Sequence, residues 1–284
     1  TTEEAHELIQ SVAEALNSSG ITFHAGISYR HCMVWENGPM DIKLTPPHDI
    51  TGRQVNDYLP KGPGAEIILN LMEKSRALLK DHPVNKARIK KGLNPATSIW
   101  LWGQGKKLNI PTFKEKYNLQ GALVSAVDLM RGLGINAGFE ILQVPGITGY
   151  IDTNYVGKAK AALDALNRVD IVYIHVEAPD EAGHAGNYKH KIKAIEDIDS
   201  LVVGTVLNGV SPFKDYKILV LPDHATPISV KTHTDEPVPF VIYESNNEKQ
   251  NADIVFDESI TLHEDVLFIE EGWKLMDYFI KGTL

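Results

Sequence analysis

Strand-like and helix-like segments alternate through the second half of the sequence, and this alternation limits the fold more than any other feature. The strand-like runs are short and apolar, and they start or fill residues 121–130, 171–178, 217–222 and 237–243. The helix candidates cover residues 125–134, 154–167 and 190–208. Segments in this order typically form a parallel sheet with helices on both faces. The sequence therefore predicts an α/β fold in which ligands gather at the carboxyl ends of the strands.

The first part of the chain has a different character. It opens with a helix candidate that Thr2 is expected to cap, with apolar residues on one face at Leu8, Ile9, Val12, Ala13 and Leu16. Short strands, proline-rich loops and a basic helix within residues 74–92 follow. Because the pattern changes over residues 108–120, we expect two domains, at 1–117 and 118–284.

Acidic and histidine residues lie where strand-like runs and loops meet, in the strings EAPDEAGH, LPDHAT and KTHTDEPVPF. Asp180 and His184 are four residues apart, so one turn can present both to the same ion. Asp223 and His224 are adjacent and point to opposite sides of an extended chain, which favours a bridge between two ions. His233 adds a nitrogen ligand. Carboxylate and imidazole without thiolate are typical of zinc, manganese or a similar divalent ion.

Each of these motifs also has a structural interpretation. An Asp and a His four residues apart in a loop are commonly a cap or a surface pair, and Asp-His before a proline-containing loop is common turn chemistry. The occurrence of all three motifs after strand-like runs favours the metal interpretation.

Composition narrows the classes of partner. The net charge of −9 argues against a nucleic-acid surface, although a few local cations can still bind an anionic substrate. The sequence has no apolar run as long as a membrane span and no visible signal peptide. The single cysteine, Cys32, excludes an intrachain disulfide and is expected to be a small buried residue of a cytoplasmic protein.

Cations in the first domain are candidates for substrate binding. Arg30 and His31 follow an alternating strand, and an arginine there can hold a carboxylate or phosphate through two parallel hydrogen bonds. Arg30 is equally typical of an exposed surface. Asp49 and Arg88 are less distinctive, since Asp49 can cap a turn and Arg88 can lie on a solvated helix face.

At the level of whole motifs, the chain resembles the cofactor-independent phosphoglycerate mutases, in the archaeal-type branch of the alkaline phosphatase superfamily. The strings DEAGHAG, LPDHATP and THTDEPVPF look like the metal-binding signatures of that family. The resemblance extends through HAGISYRH, LTPPHDITG, HPVNKARIKKGLNPATSIWLWGQG and VPGITGYIDTNYVGKA, and so covers nearly the whole chain. It implies an alkaline-phosphatase-like parallel sheet with an inserted α/β substrate domain.

The resemblance also implies a function and a set of site residues. Two divalent ions are expected, manganese first among manganese, zinc, magnesium and cobalt, without 2,3-bisphosphoglycerate. Asp180, His184 and His233 would hold one ion, and Asp223 and His224 the other. Residues near a small phosphorylated hydroxy acid would be Arg30, His31, Asp49, Arg88 and Arg131. The implied reaction interconverts 3-phosphoglycerate and 2-phosphoglycerate in glycolysis through a phosphoserine, while the inserted domain closes over the site.

The beginning of the chain departs from the family pattern. Family members carry a further metal-binding Asp and the nucleophilic Ser in an N-terminal segment that this sequence does not contain. The resemblance therefore implies a fragment that is inactive by itself. Two alternatives stay open: a phosphatase or a phosphotransferase that acts on another small hydroxy acid or on homoserine, and a fragment that only binds metal or a partner.

Overall fold

The computed structural model describes residues 1–50, 52–247, 255–263 and 266–283, without the side chains of residues 48 and 49. The chain divides into two units, Thr1–Lys107 and Leu108–Leu284. The first unit contains the helices α1 (Thr2–Leu16), α2 (Ala65–Lys80) and α3 (Pro83–Lys90) and the strands β1 (Ile21–His24) and β2 (Cys32–Trp35). The strands pair antiparallel, with Phe23 opposite Met33.

The first unit is organised around α1 and α2. Ile9 and Val12 are buried on the inner face of α1, as predicted, and pack with Phe23 and Leu71. The helix is capped by Thr1 rather than by Thr2: the Thr1 hydroxyl accepts from the Glu4 amide, and Glu4 reaches back to the N-terminus. Thr1 takes this role because its hydroxyl lies three residues before the amide it accepts from.

The cysteine prediction was wrong. Cys32 is exposed. It lies at the first position of β2, opposite His24, which is also exposed. Successive side chains of a strand point to opposite faces, and in β2 the partly buried face is taken by Met33 and Trp35.

In the second unit, β3 (Gly121–Val124) lies between β4 (Glu140–Ile141) and β5 (Ile171–Ile174), and both pairings are parallel. The α-helices are α4 (Phe113–Tyr117), α5 (Asp128–Asn136), α6 (Tyr155–Ala165), α7 (Ala178–His184), α8 (Tyr188–Asp197), α9 (Gly204–Gly209) and α10 (Leu275–Lys281). A π-helical turn, Ile198–Val203, joins α8 to α9. The described strands are completed by β6 (Lys217–Val220) and β7 (Val241–Glu244).

Helices cover both faces of the parallel sheet, as the sequence predicted. Ala122 and Val124 point to the face where Ala165 of α6 packs. Leu123 points to the other face, and a Cβ at Gly134 of α5 would lie 2.7 Å from its Cδ2 atom. A side chain at position 134 would therefore displace Leu123, and glycine allows α5 to approach the sheet this closely.

The last two strands differ from the expectation of one parallel sheet. β6 and β7 pair antiparallel with each other, with Leu219 opposite Ile242. Parallel neighbours need a crossover, usually a helix, and the residues between these strands, 221–240, form loops and turns. The parallel prediction therefore holds for β3 and β5 and not for β6 and β7, and β4 was not among the predicted strands.

Residues 108–117, which we expected at the end of the first domain, lie in the second unit. The Phe113 ring in α4 packs edge-on against Phe139 at 5.0 Å, and the Phe113 amide donates to the Ala137 carbonyl. No helix in the described ranges is both long enough and apolar enough to cross a bilayer.

Ile68 allows a test of the first unit's packing. It is 2% exposed and packs with Ile42, Ala65 and Met72. We expect Ile68→Val to lower the free energy of unfolding by about 0.5–1.5 kcal/mol because it removes one buried methylene. The adjacent Ile67 is 39% exposed, so Ile67→Val is the matched control. Equal effects of the two substitutions in urea unfolding would contradict this packing.

Candidate metal centre

The short helix α7 presents Asp180 and His184 on one face. The helix begins after the short loop that follows β5, and it has a proline in its first turn. Residues four apart on a helix are neighbours. The His184 Nε2 atom lies 3.3 Å from Asp180 Oδ2, and both side chains stay accessible, at 37% and 24% exposed.

His233 completes this group from the loop between β6 and β7. Its Nε2 atom lies 3.1 Å from His184 Nε2 and 3.4 Å from Asp180 Oδ1. Among the described residues, one oxygen and two nitrogen ligand atoms of Asp180, His184 and His233 lie within 4.8 Å of one another. The tertiary fold thus gathers three of the predicted ligands around one point.

A backbone contact orients the His184 ring. Its Nδ1 atom lies 3.0 Å from the Lys231 carbonyl oxygen, which can only accept, so Nδ1 carries the hydrogen in this contact. The neutral ring then has its lone pair on Nε2, the atom that faces Asp180 and His233. Lys231 has a φ of 60°, in the left-handed region. A buried or backbone acceptor behind a histidine ligand is the usual arrangement in metal sites.

Asp223 and His224 lie beside this group rather than within it. The His224 ring stacks on the His233 ring, with centroids 3.8 Å apart. Asp223 Oδ1 accepts from the His224 amide at 3.0 Å, and the Asp223 side chain is 70% exposed. A second, open set of candidate ligands therefore adjoins the first.

Thr226 was not anticipated from the sequence, and it contacts both sets. It is 4% exposed, its hydroxyl donates to Asp180 Oδ1, and the hydroxyl oxygen lies 3.3 Å from His224 Nδ1. The sequence could have indicated Thr226 by its position two residues after His224, because a hydroxyl so close to a ligand motif is a candidate hydrogen-bond partner of the ligands.

A buried polar cluster lies behind the ligands. His175 follows β5, and its Nδ1 atom lies 3.1 Å from the hydroxyl of Ser125, which follows β3. Burial lowers the pKa of His175, and the negative charge of Asp223 opposes that shift. His175 is therefore a partly buried, hydrogen-bonded histidine.

Lys158 is the largest fully buried side chain in the described structure, with 0% exposure. Its ammonium donates to the His175 carbonyl at 2.8 Å. Burial lowers the pKa of Lys158 to about 8, and Glu177 acts against this shift through its charge. Lys158 therefore holds the segment that leads from β5 into α7.

The predicted substrate residues occupy varied surroundings. Arg30 is exposed, and its guanidinium lies 5.8 Å from the Tyr29 ring centroid. His31 Nδ1 accepts from the Gly26 amide, and burial, followed by the charge of His6, lowers the pKa of His31. The side chain of Asp49 lies outside the described part of the structure.

The other two arginines make protein contacts. Arg88 donates to Glu4 at 2.6 Å and to the Asn94 carbonyl at 2.8 Å, which joins α3 to α1. Arg131 on α5 donates to Gln143 at 3.3 Å. The structural role of Arg88 was not apparent from the sequence, because Glu4 is far away along the chain.

The donor set suits a divalent metal ion. One carboxylate oxygen and two imidazole nitrogens without thiolate match zinc, manganese and related ions. Three ligand atoms converge, and hydrogen bonds from Thr226 and to Lys231 orient two of the ligands, as a metal site requires. The arrangement can therefore place a divalent ion where it neutralises negative charge on a bound anion.

Comparison with known proteins also indicates a metal-dependent enzyme family. The chain matches the family model described as "Metalloenzyme superfamily" over residues 47–265, and the model described as "2,3-bisphosphoglycerate-independent phosphoglycerate mutase" over residues 1–85. Curated relatives with the latter name occur in Methanosarcina acetivorans and Methanothrix thermoacetophila. They are 49% and 46% identical over 91% and 99% of this chain, which correspond to 66% and 71% of their own lengths.

Solved structures agree with the sequence relatives. A protein from Thermoplasma acidophilum described as a cofactor-independent phosphoglycerate mutase is 25% identical, with a TM-score of 0.62 over 97% of this chain and 68% of its own. A Pyrococcus horikoshii protein is 26% identical, with a TM-score of 0.69 over 85% of this chain and 59% of its own.

Proposed function

We propose that this chain, which belongs to the metal-dependent family of 2,3-bisphosphoglycerate-independent phosphoglycerate mutases, serves the interconversion of 3-phosphoglycerate and 2-phosphoglycerate. The observation that carries the proposal is the convergence of Asp180, His184 and His233, all from the motifs that resemble the family's metal signatures, on one point. The shared name of the relatives supplies the substrate. We extend the proposal to a cytoplasmic protein of glycolysis and gluconeogenesis that needs no 2,3-bisphosphoglycerate.

Two sets of residues would hold divalent ions, with manganese as the first choice. Asp180, His184 and His233 form one set, and Asp223 and His224 belong to the other. A bound divalent ion neutralises phosphoryl oxygens and lowers the pKa of an attacking hydroxyl. The Lys231 carbonyl supports this assignment because it leaves the His184 Nε2 lone pair free.

Substrate binding is assigned to cationic and polar residues around the glycerate. Arg30, His31, Asp49 and Arg88 would bind it in the first unit, and Arg131 would lie near the phosphoryl group. A guanidinium suits both the carboxylate and the phosphate because it donates two parallel hydrogen bonds. Retention of the glycerate distinguishes a mutase from a phosphatase. If the glycerate were released, water would accept the phosphoryl group instead.

The test is the reaction itself. The natural protein, stripped of metal with EDTA and then supplied with Mn²⁺, should convert 3-phosphoglycerate to 2-phosphoglycerate. The conversion would be measured by ³¹P NMR. EDTA should abolish the conversion and Mn²⁺ should restore it. Release of inorganic phosphate without the isomer would support a phosphatase instead. Phosphorylation of added homoserine would indicate the phosphotransferase alternative. Binding of Mn²⁺ without turnover would indicate a fragment that only binds metal.

Arg30 gives a second check on the substrate assignment. We expect Arg30→Met to raise KM for 3-phosphoglycerate by about 10- to 150-fold, because a charged hydrogen bond contributes about 1.5–3 kcal/mol. Arg76 is exposed, and its described ion pair is with Glu73 on the same helix, so Arg76→Met is the matched control. Steady-state kinetics with equal KM values for the two variants would remove Arg30 from the substrate site.

A further inference from the structure

We propose that Thr226 is a positioning residue that links the two sets of metal ligands and sets the orientation of one ligand in each. This inference rests on the proposed metal-dependent function. Thr226 touches Asp180 of the first set and His224 of the second through the same hydroxyl. It is 4% exposed, so the protein, and not water, determines where the hydroxyl points.

Hydrogen-bond accounting decides the direction of each contact. A threonine hydroxyl has one hydrogen and can also accept, whereas an ionised carboxylate only accepts. The hydroxyl hydrogen therefore goes to Asp180 Oδ1. The contact of 3.3 Å with His224 then requires the ring Nδ1–H to donate to the threonine oxygen.

This arrangement selects one form of each ligand. With its hydrogen on Nδ1, the neutral His224 ring has its lone pair on Nε2, available to an ion. The bond to Asp180 Oδ1 restrains the carboxylate that also faces His184 and His233. One hydroxyl thus couples the geometry of both sets.

The surrounding structure fixes Thr226 in place. The Lys191 ammonium donates to its carbonyl at 2.7 Å. Gly183, which lies on α7 between the two helical ligands, packs directly against Thr226, because a Cβ there would lie 2.5 Å from the Thr226 carbonyl oxygen and 2.9 Å from its Cγ2 atom. A β-branched side chain also has restricted χ1 freedom.

The loop that carries His233 is tied to the same point. Ala225 and Thr234 form an isolated antiparallel bridge, in which the Thr234 amide donates to the Ala225 carbonyl at 3.1 Å. Residues next to Thr226 and next to His233 are therefore held together. Thr226 lies where all three ligand-bearing segments meet.

The experiment compares a variant without the hydroxyl with one that keeps it. We expect Thr226→Val to weaken Mn²⁺ binding about 10–100-fold, as loss of an outer partner does, and Thr226→Ser to stay within about threefold of the wild type. Affinity and stoichiometry would be measured by isothermal titration calorimetry and Mn²⁺ EPR on the natural protein. Thr153, a buried threonine of the same unit that bonds the Thr148 amide, supplies the control Thr153→Val.

A second measurement needs no variant. Long-range ¹H–¹⁵N spectra of the metal-free wild-type protein should show neutral His224 with its hydrogen on Nδ1. A hydrogen on Nε2 would overturn the inference, even if Thr226→Val did not fold.

The outcomes separate this inference from the proposed function. Wild-type Mn²⁺ affinity in Thr226→Val, or equal losses in Thr226→Val and Thr153→Val, would overturn the role of Thr226 and leave the metal centre standing. A wild-type protein that binds no Mn²⁺ or Zn²⁺ would overturn both. A selective loss in Thr226→Val that serine restores is the result we expect.

Discussion

Asp180→Asn is expected to weaken divalent metal binding by more than about 100-fold and to abolish mutase activity. Removal of an outer partner already costs about 10–100-fold in metal affinity, and Asp180 is itself the only carboxylate among the three converging ligands. Asparagine has nearly the same shape and keeps an oxygen that accepts from Thr226. The variant should therefore fold while it loses the negative charge that attracts the cation.

The measurement is titration with Mn²⁺, alongside thermal unfolding to confirm the fold. Asp199→Asn is the matched control, since Asp199 is an exposed carboxylate of the same unit. Wild-type Mn²⁺ affinity in Asp180→Asn would show that the three-residue group is an ordinary hydrogen-bonded cluster, and the proposed metal centre would have to be abandoned.

Lys158→Met is expected to remove a strong pH dependence of stability. We consider the free energy of unfolding of the wild type minus that of the variant. This difference should rise by about 3 kcal/mol between pH 7 and pH 10.5. This rise is expected because burial lowers the pKa of Lys158 from 10.5 to about 8. The side chain is 0% exposed, so solvent does not screen this cost.

The direction follows from proton binding. Below pH 8 the ammonium is charged in both states, and its burial opposes folding in full. Between pH 8 and 10.5 the folded protein loses the proton of Lys158 first, so the unfolded state binds more protons and stability rises with pH. Above 10.5 this cost has disappeared. Loss of the bond to the His175 carbonyl adds a cost that does not vary with pH.

Urea unfolding of both proteins from pH 7 to 10.5 tests this expectation, and the subtraction cancels the tyrosines, which titrate in both. Lys160 is exposed on the same helix, so Lys160→Met should parallel the wild type. Parallel curves for Lys158→Met and the wild type would mean that Lys158 is not buried as a cation.

Local patterns in the sequence predicted the elements that carry the site. Apolar runs marked β3 and β5, and the four-residue spacing of Asp180 and His184 needed only a helical turn to bring them together. The motif resemblance predicted the family that the relatives then showed. Such features depend on neighbours in the chain, so the sequence displays them directly.

Contacts between segments that are far apart in the chain could not be predicted from local sequence patterns. Arg88 pairs with Glu4 across the first unit, which no spacing rule indicates. β6 and β7 pair antiparallel, although their apolar runs look like those of the parallel strands. Alternation of apolar residues reports burial of a strand and contains no information about its partner.

The sequence by itself determined which residues can bind a metal: carboxylates and imidazoles after apolar runs, without a thiolate. Only the tertiary structure decided that His233 meets Asp180 and His184, that Thr226 touches both ligand sets, and that Lys158 is buried. The reason is physical. Ligand chemistry belongs to the individual side chain, whereas distance, tautomer and desolvation arise only when segments far apart in the chain are packed together.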